Sequence, residues 1–239
     1  MGIILYLIIL VYFLIGGVLV YLINKKRLGQ DKNQNWLKFS TFFVIANILF
    51  LSVIIDSTYF HYISIVIILV SYFEIVRLTY TTGKLKTGIL SLLFFTLFSY
   101  TFIRFSLLDK QIIIIVLFIV FIFDAFSQLI GQMKGKRKLL PRISPNKTVE
   151  GLLGGCIFAI ISSMIIFKML NKDIFQSVYY GIGISAFALL GDIAASYIKR
   201  KFQVKDYGRL LPGHGGFLDR FDSLIFSGSF IYIFETIVS

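Results

Sequence analysis

The chain has 239 residues, of which 57% are hydrophobic and 15% charged, and its formal net charge is +12. A soluble domain carries roughly 45–50% apolar and about 25% charged residues, so this composition excludes an ordinary soluble globule and indicates an integral membrane protein. The positive balance does not mark a nucleic-acid binder, because the lysines and arginines lie mainly between apolar runs, as in cytoplasmic loops beside anionic lipid; a single cysteine, Cys156, excludes an internal disulfide.

The apolar residues gather in runs long enough to cross a bilayer core of roughly 30 Å. Eight spans are predicted, at about 2–24, 39–56, 62–80, 87–105, 111–130, 151–170, 176–198 and 217–237. Several are rich in Ile and Val, but in lipid a helix satisfies its own backbone, so the expected fold is an all-α polytopic helical bundle. The first run is too long for a signal-peptide core and lacks a basic start, so it reads as a span. Residues 1–110 form a generic N-terminal half, and residues 111–239 carry the chemistry, with loops at 131–150 and 199–216. Basic residues cluster in alternate connections: Lys25 to Lys38, Lys84 and Lys86, Lys134 to Lys147, and Lys199 to Arg209. The positive-inside rule places these four connections in the cytoplasm and both termini outside.

Polar residues inside the spans are few. Glu74 and Arg77 are spaced i, i+3 in span three and are expected to pair. Asp124, Gln128 and Gln132 share one face of span five, as packing glue or as a substrate groove. The following loop contains Pro141 and Pro145 and is expected to be non-helical. It ends in Ser144, Asn146, Lys147 and Thr148 before span six. Such a helix start either binds an anion or is a plain cap, with Asn146 or Thr148 at the N-cap and Glu150 favoured by the dipole. Gly151 and Gly155 form a GxxxG pair, which predicts close packing of span six on a neighbour.

Span seven is rich in small residues and ends with Asp192, Ser196 and Lys199 on one line. Asp219 and Asp222 open span eight, with Arg220 between them on another face. Carboxylates at membrane depth are costly and usually functional. Hard oxygen donors suit Mg²⁺, so Asp192 and Asp219 are candidate metal ligands, with Asp222 as a further one. Lys147, Lys199, Arg200, Lys205 and Arg209 are candidate phosphate-neutralising cations. Gly208, Gly213, Gly215 and Gly216 would let backbone N–H groups approach phosphate, and His214 either contacts substrate or shapes its turn. There is no GxxxxGK[ST] loop, no GxGxxG after a strand and no zinc spacing.

The stretch SYIKRKFQVKDYGRLLPGHGGFLDRFDS, residues 196–223, resembles the signature of phosphatidate cytidylyltransferases, the CDP-diacylglycerol synthases. KLLPRISPNKTVEGLLGG, residues 138–155, resembles a second block of that family, and Asp124 with Gly131 a third. Ala195 departs from it where many relatives carry an acid, and Gln132-Met133-Lys134 after Gly131 departs where an Arg or aromatic residue is common. The resemblance implies attack of phosphatidic acid on the α-phosphorus of CTP, giving CDP-diacylglycerol and pyrophosphate. It implies Mg²⁺, with K⁺ as a candidate second cation, and a homodimer. It implies catalytic roles for Asp192, Lys199, Arg200, Asp219 and Asp222. It implies substrate contacts at Asp124, Ser144, Asn146, Lys147, Thr148, Ser196, Lys205, Asp206, Arg209, Gly213, His214, Gly215, Gly216 and Arg220. The expected setting is a bacterial plasma membrane with the site on the cytoplasmic face. Two other readings compete: a related lipid-phosphate enzyme (a polyprenol or diacylglycerol kinase, or a CDP-archaeol synthase), and a lipid transporter using its acids as an ion relay.

Overall fold

The computed structural model describes residues 2–25, 30–208 and 215–238. They form eight helices: α1 (Gly2–Lys25), α2 (Gln30–Ile55), α3 (Ser57–Thr82), α4 (Leu85–Phe105), α5 (Lys110–Lys134), α6 (Val149–Met169), α7 (Ile174–Phe202) and α8 (Leu218–Val238). The protein is therefore an all-α polytopic membrane bundle. Seven of the helices, α1 to α7, are long and apolar enough to cross a membrane. The eighth expected span, α8, is not among these seven; it carries Asp219, Arg220, Asp222 and Glu235. It nevertheless runs antiparallel along α7 from Asp222 to Glu235. A Cβ on Gly191 would lie 2.6 Å from the Asp222 carbonyl, one on Gly183 would lie 2.4 Å from Phe230, and Tyr180 hydrogen-bonds Glu235.

Local capping sets several boundaries. The side chains of Asp56, Asp109 and Asp173 accept from Thr58, Gln111 and Phe175 N–H at 2.8, 2.7 and 3.0 Å, starting α3, α5 and α7. A side-chain acceptor at the N-cap satisfies one of the helix's unpaired donors, which is why these helices begin there. Thr148, rather than Asn146, is the cap of α6 and accepts from Gly151 N–H at 3.1 Å. Gly83, with φ of 67°, ends α3 in the left-handed region where glycine is favoured.

The α5–α6 connection is not merely non-helical. Lys138–Leu140 (β1) and Ser144–Thr148 (β2) pair antiparallel, Lys138 opposite Thr148 and Leu140 opposite Ser144. Pro145 fits because a two-stranded ribbon is all edge. Glu150 braces the base of this hairpin rather than merely answering the helix dipole. It accepts from Lys136 and Arg137 N–H at 3.0 and 3.1 Å and pairs with Arg137 Nε at 3.0 Å.

The GxxxG pair is used inside the chain. A Cβ on Gly151 would lie 2.6 Å from the Ser127 carbonyl and one on Gly155 2.9 Å from the Phe123 carbonyl, so α6 lies directly on α5. That pair therefore gives no support to a homodimer. One apolar core runs through both halves, from Phe50, Phe60 and Phe102 to Phe123, Phe202 and Ile225. Phe98 of α4 stacks on Phe226 of α8 at 3.9 Å, and Ser229 donates to the Phe98 carbonyl at 3.0 Å.

Candidate active site

The ends of α3, α5 and α7 and the starts of α6 and α8 meet at one end of the bundle, beside the hairpin. A cavity of about 970 Å³ opens there. Its polar part is lined by Asp124 and the Gln128 and Gln132 that follow it on α5, so the polar stripe of that helix faces a groove. Ser144, Asn146, Lys147 and Thr148 line it from the hairpin, and Asp192, Ser196, Lys199 and Arg200 from α7. Lys205 and Asp206 follow α7, and Asp219, Arg220, Asp222 and Ser223 come from α8. Its apolar part is walled by α1 and α2, through residues such as Tyr12, Val20, Phe39 and Phe42, with Lys38 and Asn35 close by.

Within the polar part, charges are already matched. Lys147 Nζ lies 2.6 Å from Asp192 Oδ2, bridging β2 to α7. Lys199 pairs with Asp219. Neither Lys199 nor Arg200 is the partner of Asp192, although they are its neighbours in sequence. Ser196 Oγ donates to Asp192 Oδ1 at 3.4 Å. Arg200 donates through Nε to the Ile143 carbonyl at 3.1 Å and through Nη1 to the Val204 carbonyl at 3.2 Å, so it fastens the hairpin to α7. Asp222 is 6% exposed and accepts from Ser223 N–H at 2.7 Å, while Ser223 Oγ donates to Asp124 Oδ1 at 3.3 Å. Arg220 does not point away from the site: it lines the cavity, and its Nε is buried without a hydrogen-bond partner.

The glycine turn works differently from the sequence expectation. Asp219 Oδ2 accepts from Tyr207 N–H and Gly216 N–H, each at 3.0 Å. Glu74 does not form an ion pair with Arg77 among the described residues; its oxygens accept from Phe217 N–H and Leu218 N–H, each at 2.8 Å. The glycines let the chain close on these carboxylates. A Cβ on Gly208 would lie 2.5 Å from Glu74 Oε1, and one on Gly216 2.8 Å from Asp219 Oδ2. Gly215 adopts φ of 84° over Asp206, a conformation that disfavours side chains. Gly208 and Gly216 thus let the backbone close on protein carboxylates. Arg209, Gly213 and His214 lie outside the described residues.

Tyr207 belongs to the same knot. It is 2% exposed, and its hydroxyl donates to the Ala195 carbonyl at 3.1 Å. Burial, reinforced by the nearby carboxylates of Asp219, Asp222 and Glu74, holds its phenol well above the ordinary value, so it remains a neutral donor. Glu74 and Tyr207 are site-organising residues that motif reading passed over. The only local signal for Glu74 is an acid at the end of an apolar span.

For a divalent cation the donor chemistry fits but the assembly is incomplete. Asp124, Asp192 and Asp222 are near enough to repel one another, as are Asp219 and Asp222. Yet no group of three or more His, Cys, Asp and Glu side chains among the described residues is already gathered for a metal. Lysine ammonium groups hold Asp192 and Asp219 instead.

Fold and site together define a polytopic membrane protein with a cavity that is acid- and cation-lined at its head and apolar along its side. The sequence model of the Cytidylyltransferase family matches residues 2–238, and the chain belongs to that family. Its relatives include a phosphatidate cytidylyltransferase of Bacillus subtilis, 34% identical over 180 residues, which are 73% of this chain and 66% of that protein. A phosphatidate cytidylyltransferase of Staphylococcus haemolyticus is 47% identical over 110 residues, 45% of this chain and 42% of the relative. Escherichia coli YnbB, named an uncharacterized protein, is 48% identical over 114 residues, 46% of this chain and 38% of that protein. The matched stretch thus spans about two thirds of the Bacillus relative and less than half of the other two.

Proposed function

We propose that the protein transfers the cytidylyl group of CTP to phosphatidic acid, giving CDP-diacylglycerol and pyrophosphate, at the cytoplasmic face of a bacterial plasma membrane. The observation that carries this reading is the shape and lining of the cavity. The residues of the three motif blocks meet at its polar head, and an apolar cleft between α1, α2 and α5 leads away from that head. Such a cavity suits an anionic headgroup whose tails remain in lipid.

The chemistry asks for little acid–base help. A phosphomonoester has its second pKa near 6, so the attacking oxygen is already largely anionic at neutral pH. The obstacle is repulsion between two polyanions, and fixed cations remove it. Lys147 and Lys199, paired with Asp192 and Asp219, would turn to phosphate oxygens when substrate binds. Arg220 has an unused buried donor at the same wall. Lys205 adds positive charge at the cavity, and Ser144 and Ser196 supply hydroxyl donors. Asp192 and Asp219 would hold Mg²⁺ once Lys147 and Lys199 have moved, with Asp222 as a further ligand. Bound there, the ion would neutralise charge on the triphosphate. Arg200 holds the hairpin that presents Lys147, through the Ile143 carbonyl.

Purified protein in neutral detergent should release pyrophosphate only when CTP, Mg²⁺ and phosphatidic acid are all present. Release of a nucleoside diphosphate instead would establish a kinase. Turnover with an ether-linked but not an ester-linked acceptor would establish the archaeal-type synthase. Movement of labelled lipid across vesicles without nucleotide turnover would establish a transporter and overturn the reading.

A further inference from the structure

Glu74 lies late in α3, outside every motif block that marks the site, and is 1% exposed. A carboxylate withdrawn from water needs charge-assisted hydrogen bonds. Glu74 finds them far along the chain, in the N–H groups of Phe217 and Leu218 at 2.8 Å each. These N–H groups open α8, and the next residue is Asp219. Asp219 in turn takes the N–H groups of Tyr207 and Gly216, at 3.0 Å each. Two carboxylates thus bind four backbone donors and draw residues 207–208 onto residues 216–218. Gly208 is the spacer, its backbone so near Glu74 that a Cβ would come within 2.5 Å of Oε1.

We propose that Glu74 is a positioning residue for the transfer reaction. It sets the backbone from which Asp219 and Asp222 enter the cavity, and it fixes the chain on both sides of segment 209–214. Its role in turnover rests on the cytidylyl-transfer reading; its role as a clamp does not. The clamp also occupies the N-terminus of α8. That helix end is filled by a protein carboxylate, so substrate phosphates must be met by side-chain cations instead of its free N–H groups.

The test compares Glu74→Gln and Glu74→Ala with the wild type in three measurements: kinetics, thermal melting, and amide hydrogen exchange by peptide. Gln keeps the volume and one acceptor but loses the charge, and it turns a donor toward one N–H group. In Glu74→Gln, kcat is expected to fall roughly tenfold to a hundredfold, with KM for CTP changed less than about threefold. Glu74→Ala is expected to be worse. Faster exchange is expected at residues 203–208 and 215–223 and not in the other helices, with a single melting transition retained. Wild-type kcat, or unchanged exchange at residues 215–223, would overturn the proposal. So would exchange raised throughout the bundle together with loss of the melt, because the role would then be purely structural. If wild-type protein shows no CTP turnover while the exchange change stays local, the clamp stands and the cytidylyl-transfer reading fails.

Discussion

The two ends of the bundle use carboxylates in different ways. At the end where α3, α5 and α7 begin, Asp56, Asp109 and Asp173 each accept from an N–H two residues ahead. At the other end, Glu74 reaches Phe217 and Leu218, Asp192 reaches Lys147, and Asp219 reaches Lys199 and Tyr207. The first group marks where helices start. The second ties three helices and a hairpin into one cavity. Asp56, Asp109 and Asp173 answer to their own helices and mark boundaries, whereas Glu74, Asp192 and Asp219 answer to distant segments and shape the site. Chemistry should therefore be sensitive to one end of the molecule and nearly indifferent to the other.

The largest expected effect is at Asp219. Asp219→Asn removes the charge shared by Lys199, Tyr207 N–H and Gly216 N–H, and CTP-dependent pyrophosphate release should fall by about 10²-fold or more. The variant should still insert in the membrane, as fractionation will show. Near-normal turnover would break the contrast between the two ends at its strongest point.

A smaller loss is expected from Gly208→Ala, whose new methyl group would push against Glu74 Oε1. Its kcat should fall by about tenfold, and combining it with Glu74→Gln should add little, because both changes open the same clamp. Additive losses in that double-mutant cycle would separate Gly208 from Glu74. The smallest effect belongs to the far end. Asp109→Ala removes one cap and should cost about 1 kcal/mol, or about 2–4 °C in melting temperature, with kcat within about twofold of wild type. A large kinetic effect there would show that the two ends are coupled.

The sequence carried the helices well because each is decided by its own residues. Apolar length specifies a span, and an aspartate or threonine just before it specifies the start. The site was legible where one segment holds several of its members. Asp192, Ser196 and Lys199 share a helix face, and all three line the cavity. The polar stripe at Asp124, Gln128 and Gln132 likewise faces the groove. What could not be read is pairing across long separations. Local spacing paired Glu74 with Arg77, whereas the fold gives Glu74 two N–H groups of the α8 start; nothing in the spacing pointed from Asp192 to the hairpin lysine that it meets. Of the turn glycines, Gly208 and Gly216 lie against Glu74 and Asp219, acids that come from outside the turn and that no local pattern connects with it. The hairpin was missed because its strands are only 3 and 5 residues long, too short to show an alternating pattern.

The lining of the cavity also bears on how the protein is handled at the bench. A space with cations at one end and phenylalanines along its side does not distinguish a substrate from a surfactant of the same build. Alkyl sulfates and bile salts should compete with the lipid acceptor, whereas uncharged maltosides should not. The choice of solubilising agent then sets the measured acceptor affinity, and mixed micelles report mole fraction of acceptor more faithfully than bulk concentration.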